Sequence, residues 1–248
     1  MKRIASMVSP GEVAADIGTD HAFVPIFLVR NGIVKRAIAS DVKKGPIERA
    51  EEHIADEGLE DRIDVRLGDG LRTLGVGEAD RVILAGMGGR LMIRLLSDSK
   101  EVTQAVPELI LSPHSEIPDV RRFLMESGFR IEDEAMEFED GKYYTVIRAV
   151  NAAAKGRETG KASAETEETE APAPAEPESE VDPETAMEFG PVLLRERPPV
   201  FSDWLRAEAR KTKTVLKRLE KAAPTEKNAK RKAEAEQRLA RIEAVLKN

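Results

Sequence analysis

The chain has 248 residues, of which 41% are hydrophobic and 34% charged, with a net charge of −7 and no cysteine. That length accommodates one ordinary domain with an appendage, and the missing cysteine excludes a disulfide framework, a thiolate metal site and a cysteine nucleophile. The start, MKRIASMVSPGE, lacks the apolar run of a signal peptide, and no stretch approaches the roughly 18–20 apolar residues of a membrane span; the expectation is a cytoplasmic protein with no membrane partner.

Residues 1–150 alternate strand-like and helix-like segments. VAAD (13–16) reads as a strand and AFVPIFLVRNG (22–32) as a helix, with Pro25 near its first turn and Gly32 past its end. RAIASD (36–41) is a strand. PIERAEEHIADEG (46–58) is a helix opened by Pro46, with Ile47, Ala50 and Ile54 on one face. RIDVRL (62–67), RVILAGMGG (81–89) and ELILSPH (108–114) are strands, and PDVRRFLMESG (118–128) is a helix. FRIEDEAMEF (129–138) and KYYTVIRAV (142–150), joined through DG, read as a closing hairpin. Strands alternating with helices predict an α/β fold, a mostly parallel sheet covered on both faces.

Residues 151–188, with ETEETEAPAPAEPESE and a net charge of −8, hold almost no large apolar side chains. Such a segment cannot bury enough surface to offset its ordering entropy, so it reads as a disordered acidic linker. Residues 189–248 form the third part. Within it, 201–248 carries 14 Lys and Arg against 7 Asp and Glu. Phe201, Leu205, Thr212, Leu216 and Leu219 mark one helical stripe, and Ala235, Leu239, Ile242 and Leu246 a coiled-coil seam. Ala223-Pro224 between them predicts a helical hairpin. That seam leaves open whether the hairpin serves RNA or dimerisation, so the oligomeric state stays undetermined.

Ligands of an open α/β sheet bind beyond the carboxyl ends of the strands. Those ends read Asp16-Ile-Gly18-Thr19-Asp20-His21, Ser40-Asp41, Gly68-Asp69-Gly70, Ala85-Gly86-Met87-Gly88-Gly89 and Ser112-Pro113-His114. A dinucleotide site wants G-x-G-x-x-G at the first of them, with pyrophosphate on the helix N-terminus. Here Asp20 stands where that phosphate would lie, and a carboxylate repels it. Asp41, after the second strand, suits two ribose hydroxyls, and Asp69 an exocyclic amine. Adenosine with a cationic, phosphate-free tail satisfies all three, and S-adenosylmethionine is that molecule, with Asp16 and Asp20 toward its ammonium. Three scattered histidines and no cysteine give no metal-ligand spacing, so no metal is expected.

ADIGTDHAFVP, GDGL (68–71), AGMGG (85–89), EDGKYY (139–144) and FGPVLL (189–194) together resemble the bacterial tRNA (adenine(22)-N1)-methyltransferase family. The family is a class I S-adenosylmethionine-dependent group. The resemblance covers nearly the whole chain outside 151–182. It implies a Rossmann-like methyltransferase domain with an antiparallel closing hairpin, then a C-terminal helical, coiled-coil-like region. It implies cofactor contacts from Asp16, Gly18, Asp20 and His21, from Asp41 at the ribose, from Asp69 and Gly70 at the adenine, and from Gly86, Met87 and Gly88 beneath the methionine. The expected reaction is methyl transfer to adenine N1 in tRNA, at position 22 in the D-arm region, with no DNA substrate. The N1-methyl product is cationic, so a carboxylate could stabilise it; Asp20 is the first catalytic candidate and His114 the second. The Asn/Asp-Pro-Pro-aromatic motif of N6-adenine methyltransferases is absent, with Ser112-Pro113-His114 at the corresponding strand end. Two alternatives stand beside this reading: the same chemistry on another RNA or a small molecule, and a non-catalytic protein that binds cofactor and RNA.

Among the remaining chemistry-bearing residues, His53 reads as a surface residue of a charged helix. Tyr143 and Tyr144 read as core and edge residues of the closing hairpin, and Trp204 as the anchor of the C-terminal helices on the main domain.

Overall fold

A computed structural model describes residues 1–153 and 182–247. Its centre is a seven-stranded sheet of order β3-β2-β1-β4-β5-β7-β6. The strands are β1 (Gly11–Ile17), β2 (Val34–Asp41), β3 (Ile63–Leu67), β4 (Arg81–Met87), β5 (Glu108–Pro113), β6 (Phe129–Glu139) and β7 (Lys142–Asn151). β1 to β5 run parallel, while β7 joins β5 antiparallel and β6 closes the sheet. Strand order reverses between β1 and β4, which opens a crevice at their carboxyl ends.

Continuous apolar runs make the central strands. Val82, Ile83 and Leu84 of β4 are fully buried, and all of β5 is buried. Their side chains alternate between two cores, as a pleated strand with both faces covered requires. Ile83 and Ile110 pack with helices α1 (Lys2–Ser6), α2 (Phe23–Arg30) and α3 (Lys44–Asp56). Val82, Leu84, Leu109 and Leu111 pack with α4 (Gly89–Asp98) and α6 (Ile117–Glu126). A short α5 (Lys100–Ala105) leads into β5.

The strands and the closing hairpin follow the sequence expectation, but α1, α4 and α5 were not anticipated. Pro46 lies two residues inside α3 and does not open it. Residues 154–181 of the expected acidic linker lie outside the described residues. Its expected end at 188 is corrected, because 183–188 belong to a helix, α7 (Pro183–Phe189). Asp182 caps it by accepting from the backbone N–H groups of Glu184 and Thr185, and Phe189 is fully buried. After α8 (Pro191–Glu196), the long helices α9 (Pro199–Glu220) and α10 (Glu226–Lys247) form the antiparallel hairpin. Its far end returns to its base, where Arg197 Nη1 donates to the Val245 carbonyl at 3.0 Å. Phe201, Leu205 and Ile242 form a third core with Phe189, Leu193 and Met136 of β6. Trp204 packs on Phe189 and Phe201 within it, so the sheet is engaged through those neighbours. Among the described residues no helix is long and apolar enough to cross a membrane.

The joint between sheet and C-terminal helices is an ion pair. Arg121 of α6 and Glu134 of β6 meet at 2.7 Å with both side chains buried. Arg121 also donates to the carbonyls of Met187 and Glu188 at the end of α7. Glu134 accepts from the N–H groups of Val192 and Leu193 at the start of α8. Gly190 turns the chain between those helices at φ +99°, and a Cβ there would come within 2.5 Å of Glu134 Oε2. Removing one partner of such a pair leaves a buried charge uncompensated. Glu134→Gln is therefore expected to lower stability by about 3–5 kcal/mol in urea unfolding and to speed proteolysis between α7 and α8.

Candidate functional site

The β1–α2 turn is built to bring backbone and carboxylate close to the crevice. Gly18 sits at φ +86°, and a Cβ on it would come 2.7 Å from Met87 Cε. Its N–H and that of Thr19 donate to the Ser40 carbonyl, which ties the turn to β2. Thr19 Oγ1 accepts from the Ala22 N–H at 3.2 Å and hydrogen-bonds the Asp16 carboxylate.

Asp16, at the end of β1, is only 8% exposed. No cation pairs with it among the described residues. Burial raises its pKa to about 6; the hydrogen bond from Thr19 opposes that rise and the charge of Asp41 adds to it. A buried carboxylate with no counter-charge, at the edge of an open cleft, has the charge and position to receive a cationic group.

That cleft has a volume of about 520 Å³, within the range of small-molecule sites. It brings together Asp16, Gly18, Asp20, His21, Gly86 and His114 of the sequence-predicted set. Asp41, Asp69, Gly70, Met87 and Gly88 lie along the same carboxyl edge but do not line it. Asp41 accepts from the Lys43 N–H at 2.7 Å, and Asp69 is half exposed, 3.9 Å from Arg72. Gly70 and Gly88 have packing reasons of their own: a Cβ would meet Leu95 Cδ2 at 2.6 Å and Ser115 Oγ at 3.0 Å, respectively.

Asp20 stands at the mouth, largely exposed, and its carboxylate is held by Arg49 of α3 and lies 3.4 Å from His21 Nε2. The hydrogen bond from Arg49 keeps its pKa below the usual carboxylate range, so Asp20 is ionised near neutral pH. His114 closes the opposite wall at the end of β5. It is held by its N–H to the Met87 carbonyl at 3.0 Å, with its ring edge-on to Tyr144.

Sequence reasoning missed several groups. Its reading of His53 as a surface residue is corrected: the ring stacks on His21 and Phe23 at 5.0 and 5.1 Å, and Nδ1 lies 3.2 Å from the His21 carbonyl. Tyr144 is a wall of the cleft together with Glu137 and Glu139, and Arg3 of α1 reaches Glu137 at 3.3 Å. EDGKYY flagged Tyr144 and Glu139, but no local pattern announces a pair 134 positions apart.

Known proteins resemble this chain over nearly its whole length. A family model described as "Methyltransferase domain" matches residues 1–147. The chain is 31% identical over 246 residues, 99% of its length and 95% of the relative's, to the tRNA (adenine(22)-N(1))-methyltransferase of Bacillus subtilis (strain 168). The crystal structure of the B. subtilis m1A22 tRNA methyltransferase superposes with a TM-score of 0.82 at 30% identity, covering 99% of this chain and 96% of that one. A Streptococcus pneumoniae structure in complex with S-adenosyl-L-methionine gives 0.78 at 29% identity, covering 99% and 97%.

Because burial raises the pKa of Asp16 above its unfolded value of 3.8 to about 6, the folded state favours its protonated form. The stability this contributes is complete below about pH 4 and is lost as pH rises through about 6, amounting to about 3 kcal/mol. Chemical denaturation of the ligand-free protein from pH 4 to 7 is expected to show that decline, and Asp16→Asn to abolish it.

Proposed function

From a chain that belongs to the tRNA (adenine(22)-N1)-methyltransferase family, we infer an enzyme that transfers the methyl group of S-adenosylmethionine to N1 of an adenine in tRNA. The observation that carries this is the buried, cation-free carboxylate of Asp16 beside an open cleft at the switch point of the sheet. It fits a ligand with an ammonium and no phosphate.

S-adenosylmethionine, when bound, supplies an electrophilic methyl group on a sulfonium. Asp16, with the backbone of Gly18 and Gly86, would hold its amino-acid end, Asp41 its ribose hydroxyls, and Asp69 with Gly70 its adenine. Adenine N1 carries its own lone pair, so the protein needs no general base to create the nucleophile. The remaining work is positioning and electrostatics. His114 and Tyr144 bound the side of the cleft away from Asp16, where the acceptor base would enter. N1 lies on the Watson–Crick edge, so the base must be turned out of its stack to reach it. The methylated base gains a positive charge, and the ionised Asp20 at the mouth lowers the cost of that charge. Its pairing with Arg49 fixes it in place and also moderates its field.

The hairpin supplies the RNA grip. Its base is neutralised, with Arg238 and Arg241 on Glu188 and Arg238 also on Glu208. Toward the tip, Lys217, Arg218, Lys221, Lys227, Lys230 and Arg231 have no acidic partner among the described residues. A cationic rod of this kind suits phosphate contacts that position RNA without reading its sequence. A tRNA substrate supports a cytoplasmic location.

The decisive assay supplies labelled S-adenosylmethionine and an unmodified tRNA transcript, then digests the product to nucleosides. N1-methyladenosine is the expected product. No incorporation by a protein that binds the cofactor would sink the assignment in favour of another substrate or a binding role. A second outcome follows from Asp16. Calorimetric affinity for S-adenosylmethionine should fall about ten-fold per pH unit below pH 6, where protonation removes the charge that holds the ammonium. Asp16→Asn should bind weakly throughout, with no such slope.

A further inference from the structure

The β6–β7 hairpin divides its side chains between two faces. Glu137, Glu139 and Tyr144 line the cofactor cleft. Phe138, opposite Tyr143 in the ladder, lies on the other face, in a groove shared with Asp203, Arg206 and Arg210 of α9. Its ring is 4.6 Å from that of Tyr143. Tyr143 packs partly buried against the third core, as expected of a core or edge residue, and its ring also lines this groove.

Phe138 is 56% exposed at the tip of a hairpin that already packs its other apolar residues. Arg206 is held by Asp203 at 2.9 Å. Arg210, one turn further along α9, has no acidic partner among the described residues. The groove therefore combines an uncovered aromatic face with an excess of guanidinium charge. A protein partner would need an apolar face that also carries acidic groups, whereas an unstacked nucleotide offers in one unit a ring for the aromatic and a phosphate for the arginine. Position supports the same occupant. The groove lies across the β6–β7 hairpin from the catalytic cleft, with Phe138 between Glu137 and Glu139 of the cleft wall in sequence, and it borders the basic hairpin through α9. Turning one adenine out of a tRNA arm leaves its neighbour without a stacking partner at this point.

We propose that Phe138 and Tyr143, with Arg206 and Arg210, form a docking surface for the nucleotide adjacent to the methylated adenine, and so carry the RNA from the hairpin to the cleft. This rests on the tRNA methyltransferase reading above.

The test is steady-state methylation of an unmodified tRNA transcript by the full-length protein and by Phe138→Ala, Phe138→Trp and Arg210→Gln. Cofactor affinity and oligomeric state are measured alongside. Phe138→Ala is expected to raise KM for tRNA about ten-fold, the loss of one stacked base, with kcat and cofactor affinity unchanged; Phe138→Trp keeps the wild-type KM. Arg210→Gln should raise KM and reduce the slope of log KM against log salt by about 1. If the wild type methylates no tRNA, the functional reading falls and this surface with it. If the wild type is active and Phe138→Ala keeps its KM, or instead changes the oligomeric state, the surface proposal alone is wrong.

Discussion

The molecule is organised around one buried ion pair. Arg121 and Glu134 are fully withdrawn from water, a situation that costs several kcal/mol per charge unless every remaining hydrogen-bonding position is filled. Here backbone supplies further partners to both charges. The guanidinium meets the last carbonyls of α7 and the carboxylate meets the first N–H groups of α8. These are the groups that a helix leaves without internal partners at its two ends. Two short helices thus complete the solvation of the pair, and the pair completes the helices. Each charge has the sign that its helix end favours. The direction of the basic hairpin relative to the cleft follows from this joint, because α8 leads into α9 within a few residues.

The cleft shows the opposite electrostatic arrangement. Asp16 is buried with only the Thr19 hydrogen bond and no cation to offset it, and its charge is maintained at the expense of stability. The two sites differ in what surrounds the charge: a paired carboxylate holds the architecture, and a carboxylate without a cation stands at the edge of the cleft. Asp20, close by in sequence, is different again, exposed and already matched by Arg49. Three carboxylates with the same chemistry acquire three roles from what surrounds them.

Much of the fold was legible in the sequence because its signals are local. Alternating apolar runs and helix stop signals gave the strands, the helices between them and the closing hairpin, and glycines with aspartates at the strand ends gave the cleft. What could not be read has a common cause. α4 begins at Gly88-Gly89, which looks like punctuation, and only the burial of Met92, Leu95 and Leu96 against the sheet makes it a helix. α7 and α8 lie in a stretch interrupted by Pro183, Gly190 and Pro191, and their ends are satisfied by residues more than fifty positions away. His53 and Arg49 become part of the site only when α3 folds beside the β1–α2 turn. The glycines at 70 and 88 carry a second constraint that spacing did not show, since Leu95 and Ser115 stand where a Cβ would lie.

The sheet ends at β6, an eleven-residue strand with a neighbour on one side only. A strand of that length offers a row of free backbone donors and acceptors that another chain can pair with. Here α8 and α9 pack against β6, with Met136 in the shared core and Glu134 engaged by the start of α8. The C-terminal helices therefore also guard the edge of the sheet against self-association. The interval during synthesis when the sheet is complete and those helices are still emerging is when this chain is most prone to aggregate.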